Sequence, residues 1–217
     1  MKPVAIDGVR LSRQLDGWLP AAPFRDTIAV RSRASSARLM HALDTVTLRE
    51  MPLARLLGTL RYLPGRLARR PSRQKSVDPR VPFLPALVRD MGSVVLERTA
   101  GEVILGTVGK LHQIRDQSFV PLKEAGDFTS FDAPDHEKLA MSVQAIPVDE
   151  GTVLVLEHRT QPTDVEAQKR FRRYWRFIRP AGAFVTRQLL RAVARRAERT
   201  MPLGSPAAES GEQATVR

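Results

Sequence analysis

Two histidines are the residues of this chain best suited to acid–base or polar ligand chemistry, because imidazole changes its charge near neutral pH. His112 follows one predicted strand, and His158 lies near the end of the last one. Alternate residues of a strand point to the same side, so His158 shares a face with Leu154 and Leu156. One polar ring on an apolar face is typical of a ligand pocket, and it is also compatible with a histidine that bonds a backbone carbonyl or water.

Other charged and glycine-containing segments form no recognisable catalytic or metal-binding motif. Glu157 and Arg159, two apart on one strand, are expected to make structural pairs across the sheet. Gly109-Lys110 lacks the Ser or Thr that follows in phosphate-binding loops, and neither G-x-S-x-G nor G-x-G-x-x-G occurs. One acidic segment lacks the glycine of an EF-hand and a helical histidine pair, and it is predicted to be a solvated turn: Asp127, Asp132, Asp135, His136 and Glu137. The sequence therefore predicts no catalytic residue, metal ion or cofactor.

Residues 164–200 are predicted to form one long amphipathic helix, which begins at a cap on Thr163 or Asp164. Apolar residues recur every three or four positions and line one side: Phe171, Tyr174, Trp175, Ile178, Val185, Leu189 and Val193. The opposite side is basic: Lys169, Arg172, Arg173, Arg176, Arg187, Arg191 and Arg195. Pro180 and Gly182 are expected to kink the helix. Its apolar side must be buried on another element, and the strands that precede it are the candidate.

The aromatic residues of this helix alternate with arginines, as they do in platforms that stack nucleic-acid bases. Here the rings fall on the predicted buried side and the arginines fall opposite, which favours a core or cavity wall. Tyr174 and Trp175 each keep a polar atom that could reach a ligand headgroup. We therefore do not expect nucleic acid to be a partner.

Composition limits the classes of protein to which the chain can belong. It has 217 residues, a net charge of +12 and no cysteine, which excludes disulfides, thiolate nucleophiles and cysteine metal sites. No long apolar run and no secretory signal pattern occur, so a cytoplasmic location is expected. Residues 164–200 hold eleven Lys and Arg against three Asp and Glu, and residues 61–80 hold seven against one. These segments could contact an anionic membrane surface, or they could be solvated charged surfaces without a partner.

The order of hydrophobic periodicities predicts a strand, two helices, an antiparallel sheet and the long helix. Residues 1–22 are expected to be a leader with little regular structure, 23–200 one domain, and 201–217 a disordered tail. The predicted elements are a strand at 24–33, helices from Ser35 or Ser36 to about Arg49 and from Pro52, a loop at 66–80, and hairpin strands at 93–98, 103–111, 138–146 and 153–160. Gly101 is expected to have positive φ in the first hairpin turn, and 113–135 to be a short strand or loop.

This order of elements resembles the helix-grip fold of the SRPBCC superfamily, which includes START-like and pollen-allergen-like lipid-binding domains and polyketide cyclases. The resemblance is strongest in TVLVLEHRTQPTDVEAQKRFRRYWRFIRP, which is similar to a strand, Thr-Asp, Phe, Tyr-Trp and Ile-Arg-Pro pattern of bacterial members. It covers about residues 24–200. It implies an α+β fold in which the last helix packs across a curved sheet, with a hydrophobic cavity between them.

The resemblance also implies that the protein binds a small hydrophobic molecule or lipid in that cavity. The expected wall is Leu105, Met141, Val143, Leu154, Leu156, Phe171, Trp175 and Ile178, with His158 as the polar contact. A strand register wrong by one residue would exchange the two faces of a strand. Two alternatives stay open. One is a cyclase- or hydratase-like enzyme that uses His112, His158 or Tyr174, and the other is a protein that acts on a membrane surface or nucleic acid through the basic side of its helix.

Overall fold

The computed structural model describes residues 13–52, 78–113 and 118–199 of the chain. Five helices and six strands lie in these ranges. They are α1 (Arg13–Trp18), β1 (Phe24–Ser32), α2 (Ser36–Thr45), α3 (Phe83–Asp90), β2 (Val94–Arg98), β3 (Glu102–Gly109), β4 (Phe119–Val120), α4 (Ala125–Ser130), β5 (Glu137–Val148), β6 (Gly151–Pro162) and α5 (Val165–Arg199), with one 3-10 turn at Leu48–Glu50.

The strands form one curved antiparallel sheet in the order β1-β6-β5-β3-β2, and β4 pairs with the end of β3. Helix α5 packs along β1 and β6 and also contacts α2. We call the side of the sheet that carries α5 and α2 the inner face, and the opposite side the outer face. The predicted α+β architecture, with a long C-terminal helix on a curved antiparallel sheet, is confirmed.

The hairpin of β5 and β6 fixes which side chains face α5. Val143 lies opposite Leu156, and Met141 lies opposite His158, so each pair shares a face. The inner residues of the sheet pack into one core with α2 and α5. That core includes Leu39, Leu43, Leu105, Val143, Leu154, Leu156, Leu189, Leu190 and Val193.

The outer face is covered by α1 and α4, and this corrects the expectation for residues 13–22. Leu15 and Leu19, one helical turn apart, are buried in a second core with Phe128 of α4. The helix was missed because six residues are too few to show a periodic pattern. Arg159 bonds Asp16 of α1 at 2.5 Å and its strand neighbour Glu157 at 2.7 Å, so this predicted pairing runs along the strand and out to α1.

Two further local expectations are corrected. Only Gly92 and Gly151 have positive φ among the described glycines, so the hairpin turn at Gly101 does not need it. The chain from Phe83 to Asp90 is helical, whereas no helix was predicted between the loop at 66–80 and the strand at 93–98. Pro85 lies in the first turn of that helix, where no backbone N–H is required, and it therefore does not mark an end.

The ends of α2 and α5 are set by backbone conformation and by a capping side chain. Helix α2 ends at Thr45 because Val46 is extended, which is shorter than predicted. Asp164 caps α5, and its Oδ1 accepts the backbone N–H of Ala167 at 2.8 Å. Helix α5 continues through Pro180 to Arg199 as one element. The helix predicted beyond Pro52, the 66–77 part of the predicted loop, residues 1–12 and the tail lie outside the described residues.

No helix in the described part of the chain combines the length and the apolar character needed to cross a membrane.

Two glycines provide a matched test of this backbone. Gly151 has φ 110° at the start of β6, and a Cβ there would overlap the carbonyl oxygen of Ser32, whereas a Cβ on Gly182 in α5 meets open space. We expect Gly151→Ala to lower the free energy of unfolding by about 1–3 kcal/mol. Gly182→Ala should leave it unchanged or raise it by up to about 1 kcal/mol, because alanine favours a helix. Chemical denaturation measures both, and equal effects would contradict the described turn.

Candidate functional site

Helix α5 is fixed to the rest of the fold at both ends. Near its start, Asp135 accepts hydrogen bonds from Lys110 at 2.7 Å and Arg170 at 2.5 Å, and its backbone N–H donates to Asp164. These cations hold the pKa of Asp135 below its ordinary value, with the hydrogen bond from Lys110 as the largest cause. The carboxylate therefore stays ionised and keeps the helix start in place.

The far end of α5 is fixed by a second set of contacts. Glu198 accepts a hydrogen bond from Ser32 Oγ at 2.7 Å. Arg196 and Arg199 both reach the carboxylate of Glu50, at 2.8 and 3.0 Å. The apolar residues that precede them, from Leu189 to Ala197, belong to the inner core. The C-terminal third of the helix is thus closely packed.

The middle of α5, between these two anchored ends, has no buried residue from Arg176 to Gln188. The inner face beside it is only partly covered: Leu139 and Met141 of the central strand β5, and His158 of β6, stay partly exposed. Tyr174 and Trp175 of α5 pack in the same aromatic cluster as Leu139, and Ile178, about one turn further along the helix, is half-buried. We call this region the inner groove, and it is the candidate site.

His158 is held in the inner groove between the helix and the edge strand. Its ring meets the ring of Trp175 edge-on, with centroids 5.5 Å apart, as its strand face predicted. Asp26 of β1 lies opposite His158 in the sheet register. Arg179 of α5 reaches Asp26, with Nη2 and Oδ1 3.3 Å apart. An imidazole, a carboxylate and a guanidinium therefore meet at one edge of an otherwise apolar groove.

Burial lowers the pKa of His158, and the positive charge of Arg179 lowers it further, while Asp26 opposes both. The ring is therefore neutral at pH 7, where it can donate one hydrogen bond and accept another. Arg179 is more than half exposed and still has donors free for a ligand that carries a negative or polar group.

A second polar pair lies on the same face, at the first residue of β5. Glu137 is fully buried, and its two carboxylate oxygens contact His112 Nδ1 at 2.8 Å and the backbone N–H of Leu111 at 2.7 Å. Leu111 packs against Phe171, which places this pair beside the start of α5. Burial raises the pKa of Glu137, and the hydrogen bond and charge of His112 oppose that rise.

The predicted wall residues fall into two groups. Four of them are core residues beneath α2 and α5, where neighbouring side chains already surround them: Leu105, Val143, Leu154 and Leu156. Phe171 is also buried, in an aromatic cluster with Phe24 and Trp175. Met141, His158, Trp175 and Ile178 remain partly exposed along the groove. A role in ligand contact stays a prediction for all nine.

Sequence reasoning did not identify four residues of the site: Asp26, Leu139, Glu137 as a partner of His112, and Arg179 as a cation of the groove. Asp26 and Leu139 follow from the period-two alternation once the strand pairing is known. Glu137 was assigned to a solvated turn because it directly follows the polar loop residues Asp135 and His136 in the sequence. Its first position in β5 places its side chain inward instead.

An open cleft of about 320 Å3 lies elsewhere, on the surface between α2 and the end of α5. Ala37, His41, Thr45 and Arg196 are among its lining residues. None of the nine predicted wall residues lines it, so it is distinct from the inner groove. Within the three described ranges, no three His, Asp or Glu side chains are grouped closely enough to hold a metal ion.

No known family model matches this chain, and no curated protein matches it either.

The charges around His158 predict opposite effects of two substitutions. An NMR titration of the imidazole should give a pKa below about 6.5, the ordinary value for histidine. Asp26→Asn should lower that pKa further, and Arg179→Gln should raise it, because one removes a negative and the other a positive neighbour. A His158 that titrates at or above about 6.5, or shifts of the same sign in both variants, would contradict this electrostatic description.

The lowered pKa of His158 determines how the free energy of unfolding changes at acidic pH. The unfolded chain takes up the imidazole proton near pH 6.5, whereas the folded chain takes it up only at lower pH. Between these values the unfolded state binds more protons, so folding stability falls as the pH falls and is regained as the pH rises. In His158→Gln, the loss of stability between these two pKa values should be absent. Denaturation curves measured at a series of pH values check this.

Proposed function

We propose that the protein binds a small, mostly apolar molecule with a polar or anionic headgroup, such as a lipid or fatty acid, in the inner groove. The observation that carries this proposal is the partial exposure of Leu139 and Met141 at the centre of the sheet, beside inner residues that are buried, such as Leu105, Val143 and Leu156. Apolar surface in a concavity, with a few polar groups at one edge, is typical of small-molecule sites.

The position of the polar groups suggests how such a ligand would be oriented. An apolar chain would lie on Met141 and against Trp175 and Ile178. Its headgroup would be at the edge formed by His158 and Arg179, because unpaired donors remain there. A ligand could displace Asp26 from Arg179, since the 3.3 Å contact between them is long and the Arg179 side chain is more than half exposed.

Two fluorescent probes test this proposal in the full chain. cis-Parinaric acid carries a carboxylate, and diphenylhexatriene is a plain hydrocarbon. Met141→Ala should weaken the binding of both probes by roughly 5- to 20-fold, because it removes apolar contact area. Ile146→Ala is the matched control, since Ile146 is a partly exposed apolar residue on the outer face of the same strand. Arg179→Gln and His158→Ala should weaken only the binding of cis-parinaric acid, by about 3- to 10-fold.

The outcomes are distinct. Saturable binding that depends on Met141 and is unaffected by Ile146→Ala supports the groove. Equal effects of Met141→Ala and Ile146→Ala, or probe binding without a defined stoichiometry, would contradict it.

A ligand-sized mass in native mass spectra of protein purified from its host, lost in Met141→Ala, would identify the natural compound. A cytoplasmic location is part of this proposal, and fractionation of host cells tests it.

An enzyme of the cyclase or hydratase kind is the second candidate, and the His112–Glu137 pair is the observation that favours it. A carboxylate that holds Nδ1 of a histidine leaves Nε2 to accept or donate a proton, which is a common arrangement in general acid–base catalysis. Glu137→Gln should then abolish turnover of the recovered ligand and leave its binding unchanged. Loss of folding stability with no turnover by either protein would assign the pair a structural role.

A further inference from the structure

The side of α5 that faces away from the sheet carries the most exposed large apolar residue of the described chain. Phe177 is 79% exposed. Phe184, two helical turns along on the same side, is partly exposed, and Pro180 lies between them. A helix packed on a sheet normally places such residues inward, as this one does with Phe171 and Trp175.

Arginines lie on the same side of α5 as these rings. Arg173 and Arg176 are exposed, Arg187 is partly exposed, and in the described part of the structure none of the three forms an ion pair or hydrogen bond. Several other cations of the helix have partners: Lys169 bonds Glu166 and Arg170 bonds Asp135. We call Arg173, Arg176, Phe177, Pro180, Phe184 and Arg187 the Phe177 patch.

The charge of this region has one sign. No Asp or Glu occurs in the sequence between Glu166 and Glu198, so every charge on the middle of α5 is positive. Acidic residues that contact the helix do so at its ends or from the sheet side, as Asp135 and Asp26 do. Nothing within the described fold neutralises the Phe177 patch, so its complement is an external anionic surface.

We propose that the Phe177 patch docks the protein on an anionic phospholipid bilayer, with α5 lying along the membrane plane. Phe177 and Phe184 would enter the boundary between headgroups and acyl chains, and the arginines would contact lipid phosphates. This inference is independent of the inner groove, which lies on the opposite side of the helix. An exposed aromatic ring favours a bilayer over an acidic protein surface, because insertion into lipid needs no preformed pocket.

Vesicle co-sedimentation of the full chain tests the proposal. We expect binding to vesicles of phosphatidylcholine with 30% phosphatidylglycerol, weak binding to phosphatidylcholine alone, and a steep decrease as salt rises. Phe177→Ser should reduce the partition coefficient by roughly tenfold, because it removes the apolar contact. Val165→Ser is the matched control: Val165 is 65% exposed on the same helix but lies three turns from Phe177.

A charge test uses a second matched pair. Arg173→Glu and Arg31→Glu change the net charge equally, but Arg31 is exposed on β1, on the outer side of the sheet. Arg173→Glu should weaken vesicle binding at least tenfold, and Arg31→Glu by less than threefold, because surface charges distant from the membrane are screened. Thermal unfolding confirms that the variants are folded, and groove binding of diphenylhexatriene should not change in either.

Three outcomes would overturn the docking proposal. One is an absence of salt-sensitive vesicle binding by the unmodified chain. Another is equal loss in Phe177→Ser and Val165→Ser, or in Arg173→Glu and Arg31→Glu, which would show that the patch has no special role. The third is tight binding to a DNA duplex or an acidic polypeptide, lost in Arg173→Glu while vesicles are not bound, which would assign the patch to a macromolecular anion.

Discussion

The contacts of Asp135 determine where α5 begins, and the shape of the inner face depends on that position. Its carboxylate joins Lys110, which follows β3, to Arg170 of α5, while its backbone N–H bonds the cap residue Asp164. Asp135 itself takes a φ of 61°, a conformation that aspartate tolerates better than most residues. With the start fixed in this way, the helix runs along β1 and β6 and leaves the centre of β5 partly open.

The helix is therefore fixed at its ends and loosely packed between them. Leu189, Leu190 and Val193 hold one end in the core, and Phe171 holds the other in an aromatic cluster. Local stability depends on buried apolar contacts, so the intervening turns should open more readily than either end. Both proposed sites use these turns, the groove on one side and the Phe177 patch on the other. Residues that contribute little to the core are thus free to meet ligands or surfaces.

The sequence alone was sufficient to predict the elements in which hydrophobic residues recur with a strong period. Alternation in β6 predicted that His158 shares a face with Leu154 and Leu156, and in the structure that face packs against α5. It failed where a segment is short or where a contact depends on pairing between distant strands. Helix α1 spans only six residues, and the position of Asp26 opposite His158 follows from a strand pairing that no local pattern specifies. The buried role of Glu137 was hidden by its polar neighbours in the sequence.

The position of β1 has a consequence for how the chain is made. Among the strands of the described ranges, β1 pairs only with β6, and Phe24 lies opposite Thr160, far along the chain. At typical translation rates, β1 would leave the ribosome about ten seconds before its partner exists. During that time Ile28 and Val30 would have no sheet to cover them. A nascent chain of this topology should therefore depend on chaperones until β6 and α5 emerge, and it should be most vulnerable to aggregation when synthesis is interrupted before residue 160.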